Sequence, residues 1–596
     1  MSDGSLVKSL RTSLSTAPTL YVGSALSAIA IAVYGVSGYS GWIVVVWFVG
    51  LLLIATQLFA TSGRVGPVAG RDVLAPLVLM LAFAPLYLGR LYAWPVQVSS
   101  DEVAVMDFAK RYANLPHVDL FGLSDYFGDP AGHLVVWGKL GDFFGGVDLE
   151  HMRLVHALCG LLIIGISYAL FRQLLPMGWA VLGSVVLGLN HTLLIMSRMA
   201  MKENLPALLE VSALTLLLFG LRRQNRFATF TGGAIAGLGV YVHYSGRLFF
   251  PLWILFLVVL AIAYRSSLGF GRIARAGAVA LAAYALVVTP YAIAYQKAPP
   301  ELKAHTQEAN LLTAKGRKFQ QGWVFAPTVW AGYKRNVING LTAFNYGRQD
   351  HAWIYGDKGH GIVDPLTGAL LWVGALALLV RVVRRRGPPW TLLPLTSFLA
   401  LWLIYAFVIG QAPDYSRMLI VLPFVAYLVA EAVRALAGIG QRLLSARWRL
   451  APALPVAAAA VLAIGVWNGF IAWDYIHKGQ VTGDDIGNTG RYVERYSRNP
   501  KEHFYIAADE VQFKYYQWGW PSTWQARLRI FAANDLQVGY VIAPASLGQF
   551  NASAPFVVFT RADLWSQVKD EFESRYPNVR VHDVTPDGRL IALNVA

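Results

Sequence analysis

Along most of this chain apolar residues come in unbroken runs of about twenty, separated by short polar turns. A run of that length is the unit that spans a bilayer, because in hydrocarbon a backbone must pair its own N–H and C=O groups within a helix. The runs lie at about 17–38, 42–62, 73–93, 152–174, 177–196, 205–221, 228–245, 248–264, 276–296, 366–383, 391–410, 418–437 and 452–473. They predict about thirteen transmembrane helices. Two longer stretches, 94–151 and 297–365, interrupt the series, and the first carries amphipathic segments at 103–113 and 132–145 that suit helices lying in a membrane interface. After residue 474 the pattern changes. "HFYIAA", "VGYVIAP", "FVVFTR" and "RLIALNV" are short strand-like runs, and "ADEVQFKYYQWGW" and "RADLWSQVKDEFESRY" have helical spacing. The expected architecture is an α-helical polytopic membrane protein with a small C-terminal α/β domain. Its expected division is 1–72 (an N-terminal tail and two extra helices), 73–473 (the main membrane domain) and 474–596.

Charge sets the orientation. Alternate turns are almost purely basic: Lys8 and Arg11; Arg64 and Arg71; Arg172; Arg222, Arg223 and Arg226; Arg265, Arg272 and Arg275; Arg381 and Arg384 to Arg386; then Arg434, Arg442, Arg447 and Arg449. Lys and Arg concentrate on the cytoplasmic side of membrane proteins. The reading is therefore a multi-pass protein of the plasma (inner) membrane with a cytoplasmic N-terminus. The stretches 94–151 and 297–365 and everything after 474 fall outside. The N-terminal residues lack a small-residue cleavage site and read as a tail entering a retained helix.

Composition agrees. The chain is 56% hydrophobic and 14% charged over 596 residues, against about 25% charged in soluble domains. Before Asp474 there are 37 Lys and Arg against 20 Asp and Glu, and from Asp474 onward 13 against 14. The basic surplus thus belongs to the membrane part and points to anionic lipid head groups as partners, not to nucleic acid. The single cysteine, Cys159, cannot form an intramolecular disulfide.

The candidate chemistry sits at the other turns. Asp101 and Glu102 follow the third apolar run at once; "SRMAMKENLP" holds Arg198, Lys202 and Glu203; "VYVHYSGRLFFP" holds His243, Tyr244 and Arg247; "QAPDYSRMLIVLP" holds Asp414, Tyr415 and Arg417. Each has a bland reading. The arginines can snorkel to the interface, Glu203 can pair with Lys202, His243 can be a hydrogen-bonded core residue, and Asp414 can cap a helix. Four outer turns that mix carboxylates, His, Tyr and Arg, opposite purely basic inner turns, favour a site. Carboxylates can take a proton from an attacking hydroxyl or steady a cationic sugar carbon, and arginines hold phosphate by bidentate contacts. At a membrane surface this set suits transfer from a lipid-phosphate donor.

The same residues resemble the C-type glycosyltransferases, the superfamily of protein O-mannosyltransferases and aminoarabinose (lipid A) transferases. The resemblance runs over roughly 73–440. It rests on the acidic pair after a helix, "GHLVVWGKLGDFFG…RLVHALCGLL" with Arg153, "SRMAMKENLPALLEVSALTLLLFGLRR…ATFTGGAIAGLGVYVHYSGR", the large outer loop, "DPLTGALLWVGALALLVR" and "DYSRMLIVLPFVAYLVAEAV". It implies an inverting transferase that moves a sugar from a polyprenyl phosphate to a lipid, glycan or protein acceptor. In that family the first acidic residue of the first outer loop is the base. The resemblance therefore gives Asp101 that role, Glu102 an assisting one and Glu203 the place of a second acid. Arg198, Arg247 and Arg417 are candidates for the donor phosphate, with His243, Tyr244, Tyr415, Asp414 and Lys202 as further site residues. Some members use a metal, yet no His, Cys and Asp here share ligand spacing, so a divalent metal stays open. This chain has two helices more than usual ahead of the acidic pair, Asp129-Pro130 in place of His-Pro-Pro, and no β-trefoil in 297–365. The competing readings are a flippase or transporter of lipid-linked sugars, which would need inverted repeats or a midplane site, and a non-catalytic scaffold of the same fold.

Overall fold

A computed structural model describes residues 18–62, 69–95, 98–345, 360–385, 387–444, 453–478, 485–496, 503–508, 538–585 and 588–596. The helices are α1 (Pro18–Ser37), α2 (Gly41–Thr61), α3 (Gly70–Leu88), α4 (Ser100–Asn114), α5 (Ala131–Phe144), α6 (Leu149–Arg172), α7 (Met177–Leu189), α8 (His191–Ser197), α9 (Asn204–Arg223) and α10 (Arg226–Gly239). They continue as α11 (Phe249–Leu268), α12 (Phe270–Lys297), α13 (Pro300–Glu308), α14 (Ala314–Trp323), α15 (Val329–Thr342), α16 (Pro365–Val383), α17 (Leu392–Phe407), α18 (Leu422–Leu444), α19 (Ala453–Lys478) and α20 (Asp485–Tyr496). Short 3₁₀ turns at Tyr244–Leu248 and Arg417–Val421 lead into α11 and α18.

Among the described residues eleven helices are long and apolar enough to cross a membrane, and twelve if α7 and α8, bent by 60° at Asn190, form one span. The thirteenth expected span, 228–245, falls on α10. That helix has 14 residues, about 21 Å at 1.5 Å per residue, short of the ~30 Å hydrocarbon core. A non-helical stretch, Val240–His243, leads from it into the turn at Tyr244. Glycines fix this corner. A Cβ on Gly246 would lie 2.0 Å from the carbonyl oxygen of Gly239, and one on Gly233 would lie 2.4 Å from that of Ala280 in α12. Small residues let helices approach this closely.

The span at Arg417–Arg442 is 83% buried, against 17–33% for the spans on α1, α2, α3 and α19. The segment that carries Arg417 is thus the centre of the bundle, and those four helices lie towards its rim together with α12 and α16. At one end the basic turns gather: Arg172 pairs with Asp72 at 2.8 Å, and Arg272 donates to the carbonyls of Leu221 and Arg222. At the other end lie α4 and α5, the turns after α8, α10 and α17, and the helical loop α13–α15.

The described C-terminal residues form β1 (His503–Ala508), β2 (Val538–Ile542), α21 (Ala545–Gly548), β3 (Phe556–Arg561), α22 (Ala562–Arg575), β4 (Arg580–Asp583) and β5 (Leu590–Val595). The sheet order is β2-β1-β3-β5-β4, with β1 parallel to β2 and β3 and with β5 antiparallel to β3 and β4. The four expected strands and the second expected helix are present. Strand β4 was not foreseen, and most of the first expected helix, "ADEVQFKYYQWGW", lies outside the described residues. So do the basic residues Lys8, Arg11, Arg64, Arg386, Arg447 and Arg449.

Helix α20 ties the sheet to the membrane part. Arg491 donates to the carbonyl of Tyr92, Tyr92 donates to Glu494 at 2.6 Å, and Asn594 of β5 donates to Tyr492 at 2.6 Å. The N-terminal hairpin α1–α2 is tied to the first loop by Tyr34, which donates to Asp119 at 2.8 Å, and by Tyr34 and Trp47 ringing Phe121.

Candidate active site

Asp101 and Glu102 stand next to each other in sequence and face different ways, because consecutive helical residues are turned by about 100°. Glu102 is the third residue of α4 and completes a capping box with Ser99, whose backbone N–H it accepts at 3.0 Å. It is fully buried. Its two oxygens receive Arg153 at 2.8 and 3.0 Å and the Ala200 N–H at 2.7 Å. Burial alone would raise this carboxyl, but Arg153 and the backbone donors outweigh it and hold it below its ordinary value. Asp101 is partly exposed and lines an open cleft.

The four turns singled out in the sequence all reach this cleft. Lys202 and Glu203 enter at the start of α9, His243 and Tyr244 at the start of the 3₁₀ turn before α11, and Asp414 and Arg417 before α18. Lys202 is ion-paired with Asp129 and sits 4.5 Å above the Tyr126 ring. Asp414 accepts the Arg417 backbone N–H at 3.1 Å and pairs with its Nε at 2.9 Å, so one carboxylate both caps the turn and aims the guanidinium. Gln411 Oε1 takes Arg417 Nη1 at 2.5 Å, and the guanidinium lies 5.2 Å over Tyr244. Neither contact uses Nη2.

Two buried polar atoms in the cleft wall lack hydrogen-bond partners, Glu203 Oε2 and Tyr244 Oη. Such atoms are costly unless a ligand or water completes them. Burial, with Asp414 and Asp101 nearby, pushes Glu203 up to about 7 against the pull of Lys202. Burial lowers His243 far below its usual value, with Lys202 and Arg417 adding to the effect, and burial lowers His305 to about 4. Both shifts favour the neutral imidazole, which can accept or donate a hydrogen bond and is a weak base.

Four candidates do not line the cleft. Glu102 faces Arg153. Arg198 spends its guanidinium on the carbonyls of Leu86, Tyr87, Gly89 and Trp94, at the C-terminal end of α3 and just beyond. Arg247 turns to α12, donates to Tyr291 at 2.7 Å and stacks over Tyr295. Tyr415 is buried and donates to the carbonyl of His360.

The cleft also includes residues that the sequence reading passed over. Loop 297–365, where it is described, folds back as α13–α15. It brings His305, Phe319 and Trp323 over the turn at 411–417. Two buried amides stitch it there: Gln320 accepts from Gln411 N at 3.0 Å, and Asn336 accepts from Ala412 N at 2.8 Å. Gln411 is held at φ 65 and Phe127 at φ 53, left-handed conformations that cost a non-glycine residue free energy. Both line the cleft. Among the described residues no three His, Cys, Asp or Glu side chains gather as metal ligands. Of the acids here, Asp129 and Asp414 are each bound to a cation.

No protein-family model and no curated protein sequence matches this chain. Solved structures do. ArnT from Cupriavidus metallidurans in the apo state superposes with a TM-score of 0.50 at 15% identity, over 88% of this chain and 98% of that one. The Archaeoglobus fulgidus oligosaccharyltransferase in complex with Zn and sulfate superposes with a TM-score of 0.50 at 12% identity, over 87% and 73%. This chain has the C-type glycosyltransferase fold. Within that fold the cleft lies where the first loop, the start of α9 and the long loop α13–α15 meet. The bundle beneath it is a multi-pass membrane domain.

Proposed function

We propose that this protein is an inverting glycosyltransferase that moves a sugar from a polyprenyl-phosphate donor to an acceptor hydroxyl. The observation that carries the reading is the convergence of Asp101, Glu203 and Arg417, from three separate parts of the chain, on one cleft at the end of a membrane bundle. The C-type glycosyltransferase fold supports it. The cleft lies at the end away from the basic turns, which under the positive-inside rule is the outer face, with the N-terminus inside and the C-terminal sheet outside. The division into 1–72, 73–473 and 474–596 belongs to the same reading.

In the reaction the acceptor O–H attacks the anomeric carbon while the bond from that carbon to the phosphate oxygen breaks. The bonding pair leaves with the polyprenyl phosphate. Asp101 takes the hydroxyl proton and later returns it to water. Arg417, aimed by Asp414 and Gln411, takes the phosphate through the Nη2 side of its fork, where charge grows as the bond breaks. Glu203 is held near neutrality and can donate to a sugar hydroxyl or to the leaving oxygen. Glu102 positions α4 and touches no substrate.

The test is transfer of labelled sugar from a polyprenyl-phosphate donor, read beside a melting curve. Asp101→Asn keeps shape and loses the base, so turnover is expected to fall about 10²–10⁴-fold with thermal stability unchanged. Glu102→Gln is expected to do the reverse in kind. It breaks a buried ion pair, which costs about 3–5 kcal/mol, and lowers the melting temperature. Full turnover in Asp101→Asn would overturn the base assignment.

A further inference from the structure

We infer that the acceptor is a carbohydrate, and that Phe319 and Trp323 form the platform on which its sugar ring stacks. This rests on the transferase reading above and names its second substrate class.

The two side chains sit one turn apart on α14. Their rings are 6.1 Å apart and within 18° of parallel, and both are partly exposed and line the cleft. Two nearly parallel aromatic rings at the edge of a polar centre offer a face that matches a pyranose or furanose. The axial C–H groups of such a ring pack on an aromatic face, while its hydroxyls need acceptors and donors at the rim. Those are at hand in the same cleft: Asp101, Glu203 with its unpartnered Oε2, Ser416 and the Gln411 amide. The Phe127 ring on the cleft wall is supported by Tyr126 at 4.9 Å and His305 at 5.1 Å, and its backbone is held at φ 53. Strain of this kind persists where the surroundings impose it, and it clusters at binding sites. A peptide acceptor would ask for something else. One recurring mode of peptide recognition adds the peptide to an open strand edge, and the described α13–α15 roof of the cleft is helical and offers no such edge.

Helix α14 does a second task that fits this role. Between Phe319 and Trp323 lies Gln320, buried, whose side chain holds the backbone of Gln411, and Gln411 in turn holds Arg417. A sugar seated on the two rings therefore bears on the same helix that sets the phosphate-facing guanidinium.

The experiment uses the full chain in lipid nanodiscs. Saturation-transfer NMR with methyl hexosides and methyl pentosides reads ring contact without any donor present, and a short acetylated Ala-Ser-Ala amide serves as the peptide probe. Saturation of the sugar C–H protons is expected in the wild type and in Trp323→Phe, which keeps a ring. It is expected to drop at least fivefold in Phe319→Leu/Trp323→Leu at an unchanged melting temperature. Polyprenyl-phosphate binding, measured in parallel, tests the transferase reading on its own. Loss of donor binding in the wild type would sink that reading, while the NMR result still decides the platform. Sugar saturation that survives the double variant, or ring-dependent saturation of the peptide with none of the glycosides, overturns the inference.

Discussion

At the scale of single residues the acidic pair is the sharpest lesson. Composition and position made Asp101 and Glu102 look alike, yet one lines the cleft and the other is locked to Arg153. A signal that separates them is in the sequence: Ser99-x-x-Glu102 is the signature of a capping box and marks Glu102 as the member engaged at the helix cap. No comparable signal marks Glu203 as the carboxyl with an orphaned oxygen, because that depends on burial beside Asp414 and Asp101. Its titration gives a test. The ordinary value for Glu is 4.5 and the folded value is about 7. Between these the folded chain keeps a proton that the unfolded chain has released, so stability falls as pH rises through that window. One proton sets a limit of about 1.4 kcal/mol per pH unit. In Glu203→Gln that slope should vanish, so the melting temperature of the variant relative to wild type should climb from pH 5 to pH 8. A difference that is flat or of opposite sign would mean that the carboxyl is solvated.

Among the elements, the membrane helices were readable because a twenty-residue apolar run has few alternatives in lipid. What periodicity could not give was the break at Asn190, the shortness of α10, or the fold-back of α13–α15. The last of these brings Phe319 and Trp323 to Asp101 across some 220 positions of sequence and carries no apolar signature. The arginines show the same limit. Three helix-end arginines offered the same chemistry, and only tertiary placement sorts them. Arg198 satisfies the carbonyls of Leu86 and Tyr87, in the last turn of α3 where a helix leaves them unpaired, and those of Gly89 and Trp94 beyond it. Arg198→Ala is therefore expected to lower the melting temperature, at about 1–3 kcal/mol for each buried carbonyl left without a donor. Arg417→Lys keeps the charge and loses the planar fork, so polyprenyl-phosphate affinity should fall while stability holds. Equal donor affinity in wild type and Arg417→Lys would move the phosphate to another cation, with Lys202 the next in the cleft.

For the whole molecule, the expectation of thirteen passes would put the two ends of the chain on opposite sides. The count includes the bent pair α7–α8 and the short α10, each of which runs from the basic end to the cleft end. A reporter fused after Ala596 should be active only when exported. An active cytoplasmic fusion would remove one of those passes and put the cleft on the inner face. One further connection bears on the protein as a unit. Helix α20 holds Tyr92, seven residues before Ser99, on one side and the sheet through Tyr492 and Asn594 on the other. If α20 couples the two regions, the coupling free energy is reciprocal. A partner that grips the sheet and shifts α20 changes the affinity of the cleft by some factor, and a ligand in the cleft changes the grip on that partner by the same factor. Hydrogen exchange in Asp485–Tyr496 should therefore slow when donor binds, and Tyr92→Phe, which removes the bond to Glu494, should weaken that response. Exchange indifferent to donor would reduce α20 to a passive strap. Exchange that responds would make the C-terminal domain a remote handle on transfer, through which an envelope component could report its presence to the cleft without ever touching it.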